Sequence, residues 1–227
     1  MDLDQEVLKA AVNVMSITDE TILPNFEAAI SKVNHDGLDH SVWANRGQVL
    51  TDIFADHSII KIRHVKRGTI WQFEAMVNVE NHTVYLLMTH DNLRKLQREF
   101  KKNKHRTHYL FSLLRLNPES ICVQQELFAF DEESFKAARE MDCDNILGEF
   151  AGQIEHVQVL AFDYANHSAI GGAVYLLDQS GATIEREDIS DMLLDQDKTS
   201  ENDSLGTEPV QRTTESTPLV KLKIKKA

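Results

Sequence analysis

The sequence has few cysteines and no long apolar run, and each shortage excludes a class of protein. Its 227 residues include two cysteines, Cys122 and Cys143, too few for the disulfide framework of a small secreted domain. No stretch approaches the roughly 18 to 20 apolar residues that a membrane-spanning helix needs. A secretory signal begins with a basic segment that an apolar segment follows. The start of this chain is acidic instead, so we expect no secretory signal. We therefore predict a cytoplasmic protein with no membrane partner.

The motifs of the common enzyme classes are also missing. The sequence contains no phosphate-binding loop, dinucleotide fingerprint or Gly-x-Ser-x-Gly motif. His105 and His108 are three residues apart, yet no nearby Cys or further His completes a zinc site. Acidic neighbours are expected to raise the pKa of Cys143 and make it a poor nucleophile. The pair at 171–172 is Gly-Gly within a strand pattern, which indicates a bulge or a close backbone approach. We predict no cofactor, no metal and no catalytic residue.

Charge is distributed unevenly along the chain. The formal net charge is −12, yet the stretch 61–115 contains 12 Lys or Arg against 4 Asp or Glu. Such unevenness concerns the electric field and the partners of a protein rather than its fold. Either an acidic surface of the same domain faces the basic stretch, or a negatively charged partner does.

Amphipathic helices are predicted in the first quarter of the chain. Apolar residues recur at helical spacing over 3–15, 22–33 and 42–54. Pro24 lies near the start of the second helix, where proline is tolerated, and the Asn-His-Asp-Gly sequence at 34–37 ends that helix. The three helices are expected to pack as one layer.

The apolar period then shortens to two, which is typical of strands. Residues 58–65 are rich in β-branched side chains, and 70–79 alternate apolar and polar residues with Met76 as the exception. Residues 83–89 form a further strand. The alternating apolar set of the middle strand is Trp71, Phe73, Ala75, Val77 and Val79. Three strands with short turns predict an antiparallel meander whose middle strand is half-buried.

The second half of the chain continues both patterns. A helix is expected over 108–116, and the acidic residues 131–133 favour the start of another. Strands over 157–164 and 169–177 form a second hairpin, which 182–186 can extend. We therefore predict an α+β fold with N-terminal helices packed on an antiparallel sheet, made of the meander plus the second hairpin.

The composition changes near the C-terminus, so the globular domain is predicted to span 1–194. Residues 195–218 contain only Leu205 and Val210 as large aliphatic side chains. Too little apolar surface is available there to offset the entropy of ordering, which predicts a disordered acidic linker. Residues 219–227 alternate apolar residues with lysines, as a basic strand-like peptide would. This peptide could add to the sheet edge of a partner, pair with an edge of this domain, or aid solubility alone.

A basic helix is the strongest candidate for a binding surface. Asp91 is expected to cap a helix over 92–103, in which Leu93, Leu96 and Phe100 form the buried face. The cations on the opposite face and just beyond it are Arg94, Lys95, Arg98, Lys101, Lys102, Lys104 and Arg106. Such surfaces contact phosphate backbones, although a solvated helix face has the same pattern. The acidic linker could also compete with nucleic acid for these cations.

The function that this pattern favours is that of a non-catalytic regulatory or adaptor protein. Its basic helix would bind a protein partner or nucleic acid. An alternative is a metal-dependent nuclease-like hydrolase in which Glu74 and Asp163 meet across the sheet, although Met76 occupies the position where such enzymes often carry a lysine. A third interpretation is a structural subunit whose charges serve an oligomer interface; the sequence leaves the oligomeric state open.

A succession of short motifs runs through 43–194. It consists of Lys66-Arg67-Gly68, Trp71-x-Phe73, Tyr85-x-x-Met88, Leu93-x-x-Leu96, His108-Tyr109, Ala161-Phe162-Asp163 and Asp188-Ile189-Ser190. In this succession the chain resembles an uncharacterised bacterial domain family of unknown function. The resemblance implies a bacterial or phage-linked cytoplasmic protein and supplies no functional residues.

Overall fold

The computed structural model describes residues 3–68, 71–102, 108–119 and 132–194. The elements in chain order are α1 (Gln5–Met15), α2 (Asp19–Ala29), α3 (Leu38–Ile53), β1 (Ile60–Arg67), β2 (Trp71–Asn78), β3 (Thr83–Thr89), α4 (His90–Lys102), α5 (Tyr109–Leu113), α6 (Glu132–Leu147), β4 (His156–Ala165), β5 (Ser168–Leu177) and β6 (Thr183–Asp188). Within these ranges no helix is long and apolar enough to cross a membrane. The predicted linker at 195–218 and the peptide at 219–227 lie outside the described residues.

The six strands form one sheet in which the spatial order follows the chain order. β1, β2 and β3 pair antiparallel, as do β4, β5 and β6. The predicted meander, the second hairpin and its extension by β6 are therefore confirmed. The pairing of β3 with β4 is parallel, which the sequence patterns did not indicate. Parallel neighbours need a long crossover, and α4, α5 and α6 lie within this one.

Helices cover both faces of the sheet. On β3, Val84, Leu86 and Met88 pack in a core cluster with residues of α4, α5 and α6. Tyr85 of the same strand points the other way, into a second cluster with α1 and α3. We call these two sides the α4 face and the α1 face. The expected N-terminal helical layer is present, and the later helices form a second layer on the opposite side.

The second layer changes the environment of β2. Ala75 and Val77 are buried on the α4 face as predicted, but Met76 is fully buried on the α1 face. Towards the start of the strand Trp71 is 42% exposed. The strand is thus covered on both faces in its second half and open at its first residue. A strand between two helix layers loses the simple alternation of a half-buried strand.

Three helix starts differ from the predicted ones. α2 begins at Asp19 rather than at 22, so Pro24 is its sixth residue and lies inside the helix rather than near its start. α3 begins at Leu38, directly after Gly37, whose positive φ of 92° suits a glycine. α4 begins at His90, and the hydroxyl of Thr89 accepts a 3.2 Å hydrogen bond from the Asn92 amide. Thr89 therefore caps α4, whereas Asp91 lies in its first turn. The cap prediction was wrong because Thr89, the last residue of β3, supplies the capping oxygen itself.

The predicted irregularity at the glycine pair is confirmed. The register of β4 against β5 shifts between Asp163, which pairs with Gly171, and Tyr164, which pairs with Ala169. A Cβ atom at Gly172 would lie 3.0 Å from the ring of Phe162. The bulge and the close approach therefore coincide beside Asp163.

Candidate docking surface and the His90 network

α4 presents its predicted basic face to solvent. Leu93, Leu96 and Phe100 are buried against the sheet. The exposed cations opposite them are Arg94, Lys95, Arg98, Lys101 and Lys102, which we call the basic α4 surface. Lys104 and Arg106, the other two predicted cations, lie outside the described residues.

Nearby carboxylates reach one end of this surface. Arg94 lies 3.7 Å from a carboxylate oxygen of Asp91 and 3.8 Å from one of Asp163. Among the carboxylates whose side chains the structure describes, which leaves out residues 132–134, none comes within ion-pair distance of the other four cations. Arg98 instead donates from Nε to the backbone oxygen of Arg94 at 3.2 Å. Of the five cations of the basic α4 surface, therefore, Arg94 alone lies within ion-pair distance of a carboxylate that the structure describes.

A buried histidine lies beneath that end of the helix. His90, the first residue of α4, is 3% exposed. Its Nδ1 is 2.6 Å from a carboxylate oxygen of Asp163, and its Nε2 is 2.7 Å from the hydroxyl of Tyr175. Arg186 on β6 donates from Nε to the same hydroxyl at 3.1 Å, and this bond holds the pKa of Arg186 above its usual value. We call these four residues the His90 network.

The topology of the sheet brings this network together. Thr89 and Phe162 are register partners in the parallel pair of β3 and β4, so His90 and Asp163 each follow directly at the same edge. The carboxyl ends of parallel strands are a frequent place for binding sites in α/β proteins. Tyr175 reaches the network from β5, where it pairs with Arg186 of β6.

The hydrogen bonds of His90 define what the network can do. A neutral imidazole that donates from Nδ1 to Asp163 accepts at Nε2 from the Tyr175 hydroxyl. Such a chain can hold a proton between carboxylate, imidazole and phenol, but both ring nitrogens are already engaged. The network therefore fixes the orientation of Asp163 beside Arg94.

A cavity of about 380 Å³ lies away from the network, where it is lined by residues of α3 and β1 together with Glu149 and Phe150.

Glu74 and Asp163 do not meet. Glu74 lies against α3 on the α1 face, where a Cβ atom at Gly47 would be 2.5 Å from its carboxyl carbon. Asp163 bonds to His90 of α4 on the other face. Because the sheet separates the two carboxylates, this pair cannot hold one metal ion, and the nuclease interpretation loses its residues. Over the described ranges, no three His, Cys, Asp or Glu side chains form a group that could hold a metal.

Cys143 is a core residue of α6. It is fully buried, and burial is the main cause that raises the pKa of its thiol to about 11. The adjacent acids Asp142 and Asp144 raise the pKa further, while Arg115 opposes them. The predicted direction is confirmed, although burial contributes more than the acids that suggested it. The other predicted features, Cys122 and His105, lie outside the described residues.

Comparison with known proteins places the chain in a family. A family model described as "Family of unknown function (DUF5986)" matches residues 15–227. The chain belongs to DUF5986. The predicted resemblance to a family of unknown function is thereby confirmed, and the match extends beyond 43–194 in both directions. No curated protein and no solved structure gives a significant match.

Membership in DUF5986 identifies no functional residue in the chain, because the family has no known function. Sequence patterns identified the basic α4 surface but missed His90, Tyr175 and Arg186. The one signal available was the strand-to-helix change at Thr89 and His90, since polar residues at such junctions often form sites. The hydrogen bonds of the network join residues that are 73 and 85 positions apart in the sequence, so no short motif encodes them.

Proposed function

We propose that the protein is a non-catalytic docking protein that binds nucleic acid through the basic α4 surface. The observation that supports this is the set of four exposed cations on α4 that lie beyond ion-pair distance of every carboxylate whose side chain the structure describes. A cation already paired within the protein has little to offer a phosphate. Unpaired ones release counterions from a polyanion and so favour binding.

The dimensions of the surface suit a phosphate backbone. The cations from Lys95 to Lys102 extend along about 11 Å of helix axis at about 1.5 Å per residue. One strand of duplex DNA presents a phosphate about every 3.4 Å along its axis, so the surface matches about three phosphates. Within α4 as the structure describes it, Phe100 points into the core and offers no ring on this face. We therefore expect binding to the backbone with little sequence preference.

Arg94 is the member of the surface that the protein itself positions. Asp163 is held by His90, which Tyr175 holds in turn. The guanidinium of Arg94 lies close to the carboxylates of Asp163 and Asp91, and their negative charge weakens its attraction for a phosphate. We therefore expect the other four cations to contribute more to phosphate binding than Arg94 does.

Fluorescence anisotropy of the full chain with labelled DNA and RNA, single- and double-stranded, tests the proposal. The test variant is Lys95→Glu/Arg98→Glu/Lys102→Glu, which reverses three exposed cations on one side of α4. The matched control is Lys9→Glu/Lys32→Glu/Lys136→Glu, which makes the same charge change at exposed positions elsewhere. We expect at least a tenfold loss of affinity in the test variant, since several phosphate contacts are lost, and about twofold or less in the control.

Two results would overturn the proposal. One is an equal loss of nucleic-acid affinity in the two triple variants, which would mean that binding depends on the net charge of the protein rather than on the basic α4 surface. The other is no binding by the full chain at low salt, together with no binding by a chain ending at Leu194 that lacks the acidic segment. In that second case the basic α4 surface would have to serve a protein partner, to be identified by cross-linking from α4. Circular dichroism establishes that each variant is folded.

A further inference from the structure

The two edges of the sheet carry opposite charge. The edge strand β1 contains Lys61, Arg63, Lys66 and Arg67 and no acidic residue. The other edge strand, β6, has the sequence Thr-Ile-Glu-Arg-Glu-Asp, in which acidic residues outnumber the single arginine, and all six of its residues are exposed. Over the described ranges no strand pairs with the outer side of β6.

The C-terminal peptide 219–227 has the complementary character. Its sequence is Leu-Val-Lys-Leu-Lys-Ile-Lys-Lys-Ala, so lysines alternate with β-branched or aliphatic residues at the strand period of two. The DUF5986 match includes this peptide, since it runs to residue 227. A basic peptide is repelled by the basic edge at β1 and attracted by the acidic edge at β6.

We infer that the peptide 219–227 adds to the outer edge of β6 as a seventh strand of the same sheet. Main-chain hydrogen bonds give such strand addition its affinity, and alternate side chains give it specificity. Glu185 and Glu187 are the register partners of Leu176 and Val174, and therefore share the α1 face. Lysines at every second position of an added strand can all lie on that face, opposite these two carboxylates.

The remaining side chains of the added strand fall on the α4 face. Arg186 occupies that face of β6, where it lies on the ring of Tyr175 at 5.9 Å from the centroid. The aliphatic residues Val220, Leu222 and Ile224 would cover this arginine–tyrosine contact. Strand addition at β6 thus puts unlike charges together on the α1 face, and it places the aliphatic side chains beside the Tyr175 ring and the Arg186–Asp188 ion pair on the α4 face.

The connecting segment is long enough for this arrangement. Residues 195–218 amount to 24 residues, whose maximum reach is about 80 Å, whereas the six residues of β6 span about 20 Å. A connection of this length keeps the peptide at an effective concentration on the order of millimolar. The acidic edge also discourages a second copy from pairing its own β6 there.

Hydrogen–deuterium exchange of the full chain and of a chain ending at Pro218 tests the inference. In the full chain we expect amides of β6 and of 219–227 to exchange roughly fivefold or more slowly than free segments, because strand pairing protects them. Removal of the peptide should return β6 to fast exchange and leave β3 and β4 unchanged. Equal exchange of β6 in both chains would overturn the inference.

A charge swap tests the proposed contacts separately from the deletion. Glu185→Lys/Glu187→Lys and Lys221→Glu/Lys223→Glu/Lys225→Glu should each abolish the protection, and their combination should restore it. The matched control Asp36→Lys/Asp56→Lys changes exposed acidic residues distant in sequence from β6 and should leave the protection unchanged. Failure of the combined variant to restore protection would contradict the pairing. Protection that grows with protein concentration would show docking on a second copy and would overturn the intramolecular arrangement.

Discussion

The guanidinium of Arg46 donates a 3.0 Å hydrogen bond to the hydroxyl of Tyr164, and both groups bond to the backbone that connects α1 with α2. Arg46 also donates to the carbonyl oxygen of Ile17 at 2.6 Å, and the Tyr164 hydroxyl donates to that of Met15 at 2.7 Å. Arg46 is 5% exposed. Over the described ranges its partners are carbonyl and hydroxyl oxygens rather than a carboxylate. This pair therefore joins α3 and β4 to the end of α1.

Replacing Arg46 by methionine should destabilise the fold by about 2–4 kcal/mol. The substitution keeps much of the aliphatic volume but removes the side-chain donor of the Ile17 carbonyl oxygen and of the Tyr164 hydroxyl oxygen, at about 1–3 kcal/mol for each group left unsatisfied. The Met15 carbonyl oxygen keeps the Tyr164 hydroxyl as its donor. Urea unfolding measures the change. Arg98→Met, on the exposed face of α4, should alter stability by about 0.5 kcal/mol or less. A similar small effect at Arg46 would refute the structural role of the pair.

Replacing Tyr175 by phenylalanine should cost about 1–3 kcal/mol, since Nε2 of the buried His90 would lose its partner. Thermal unfolding measures this loss. Arg186→Gln removes the other partner of the phenol and serves as the comparison, because Arg186 is exposed and water can replace it. If the two variants unfold alike, the hydroxyl is not needed by His90.

Glu74→Gln should become more stabilising as the pH rises. Burial raises the pKa of Glu74 above its usual 4.5, while His64 opposes the shift. Because its folded pKa is the higher one, the folded state binds more protons, and stability falls as the pH rises from about 4.5 through the folded value. The Glu74→Gln variant has no carboxyl group to titrate at this position, so it does not lose stability in this way as the pH rises. Urea unfolding between pH 4 and pH 7 measures it, with the exposed Glu80→Gln as control; a pH-independent difference would contradict the raised pKa.

Asp19→Asn should lower the pKa of His167. In the folded protein a hydrogen bond and the charge of Asp19 raise the pKa of this exposed imidazole above 6.5, with Nδ1 2.7 Å from a carboxylate oxygen. The pair therefore favours folding below about pH 6.5 and ceases to do so as the pH rises through the folded pKa of His167. NMR titration of the His167 ring checks the value. An unchanged pKa in the variant would mean that the pair does not form in solution.

The salt dependence of nucleic-acid binding should report the number of contacts made by α4. For duplex DNA the slope of log K against log salt concentration changes by about 0.9 per phosphate contact. Lys95→Gln and Lys102→Gln should each reduce the slope by about that amount, whereas Lys32→Gln should not. A slope near zero for the full chain would exclude phosphate contacts as the source of binding.

Local patterns predicted most of the elements but not all of their surroundings. The alternation in β2 located that strand, yet Met76 broke the pattern because the N-terminal helices cover its side of the sheet while α4, α5 and α6 cover the other side. The cap of α4 was assigned to Asp91 rather than Thr89, because β3 passes into the helix with no intervening loop. The charge pattern of α4 predicted an exposed basic face, because a helix that buries Leu93 and Leu96 must turn its other side outward.

The sequence by itself determined the helices, the two antiparallel sets of strands and the cations of α4, because each depends on the spacing of residues close along the chain. The tertiary structure alone decided that β3 and β4 pair in parallel and that His90 reaches Asp163. It also decided that Glu74 and Asp163 lie on opposite faces of the sheet. These features depend on the path of the crossover between β3 and β4, which brings together residues 73 positions apart. Periodicity specifies which side of an element is buried, whereas only the packed chain specifies its neighbour.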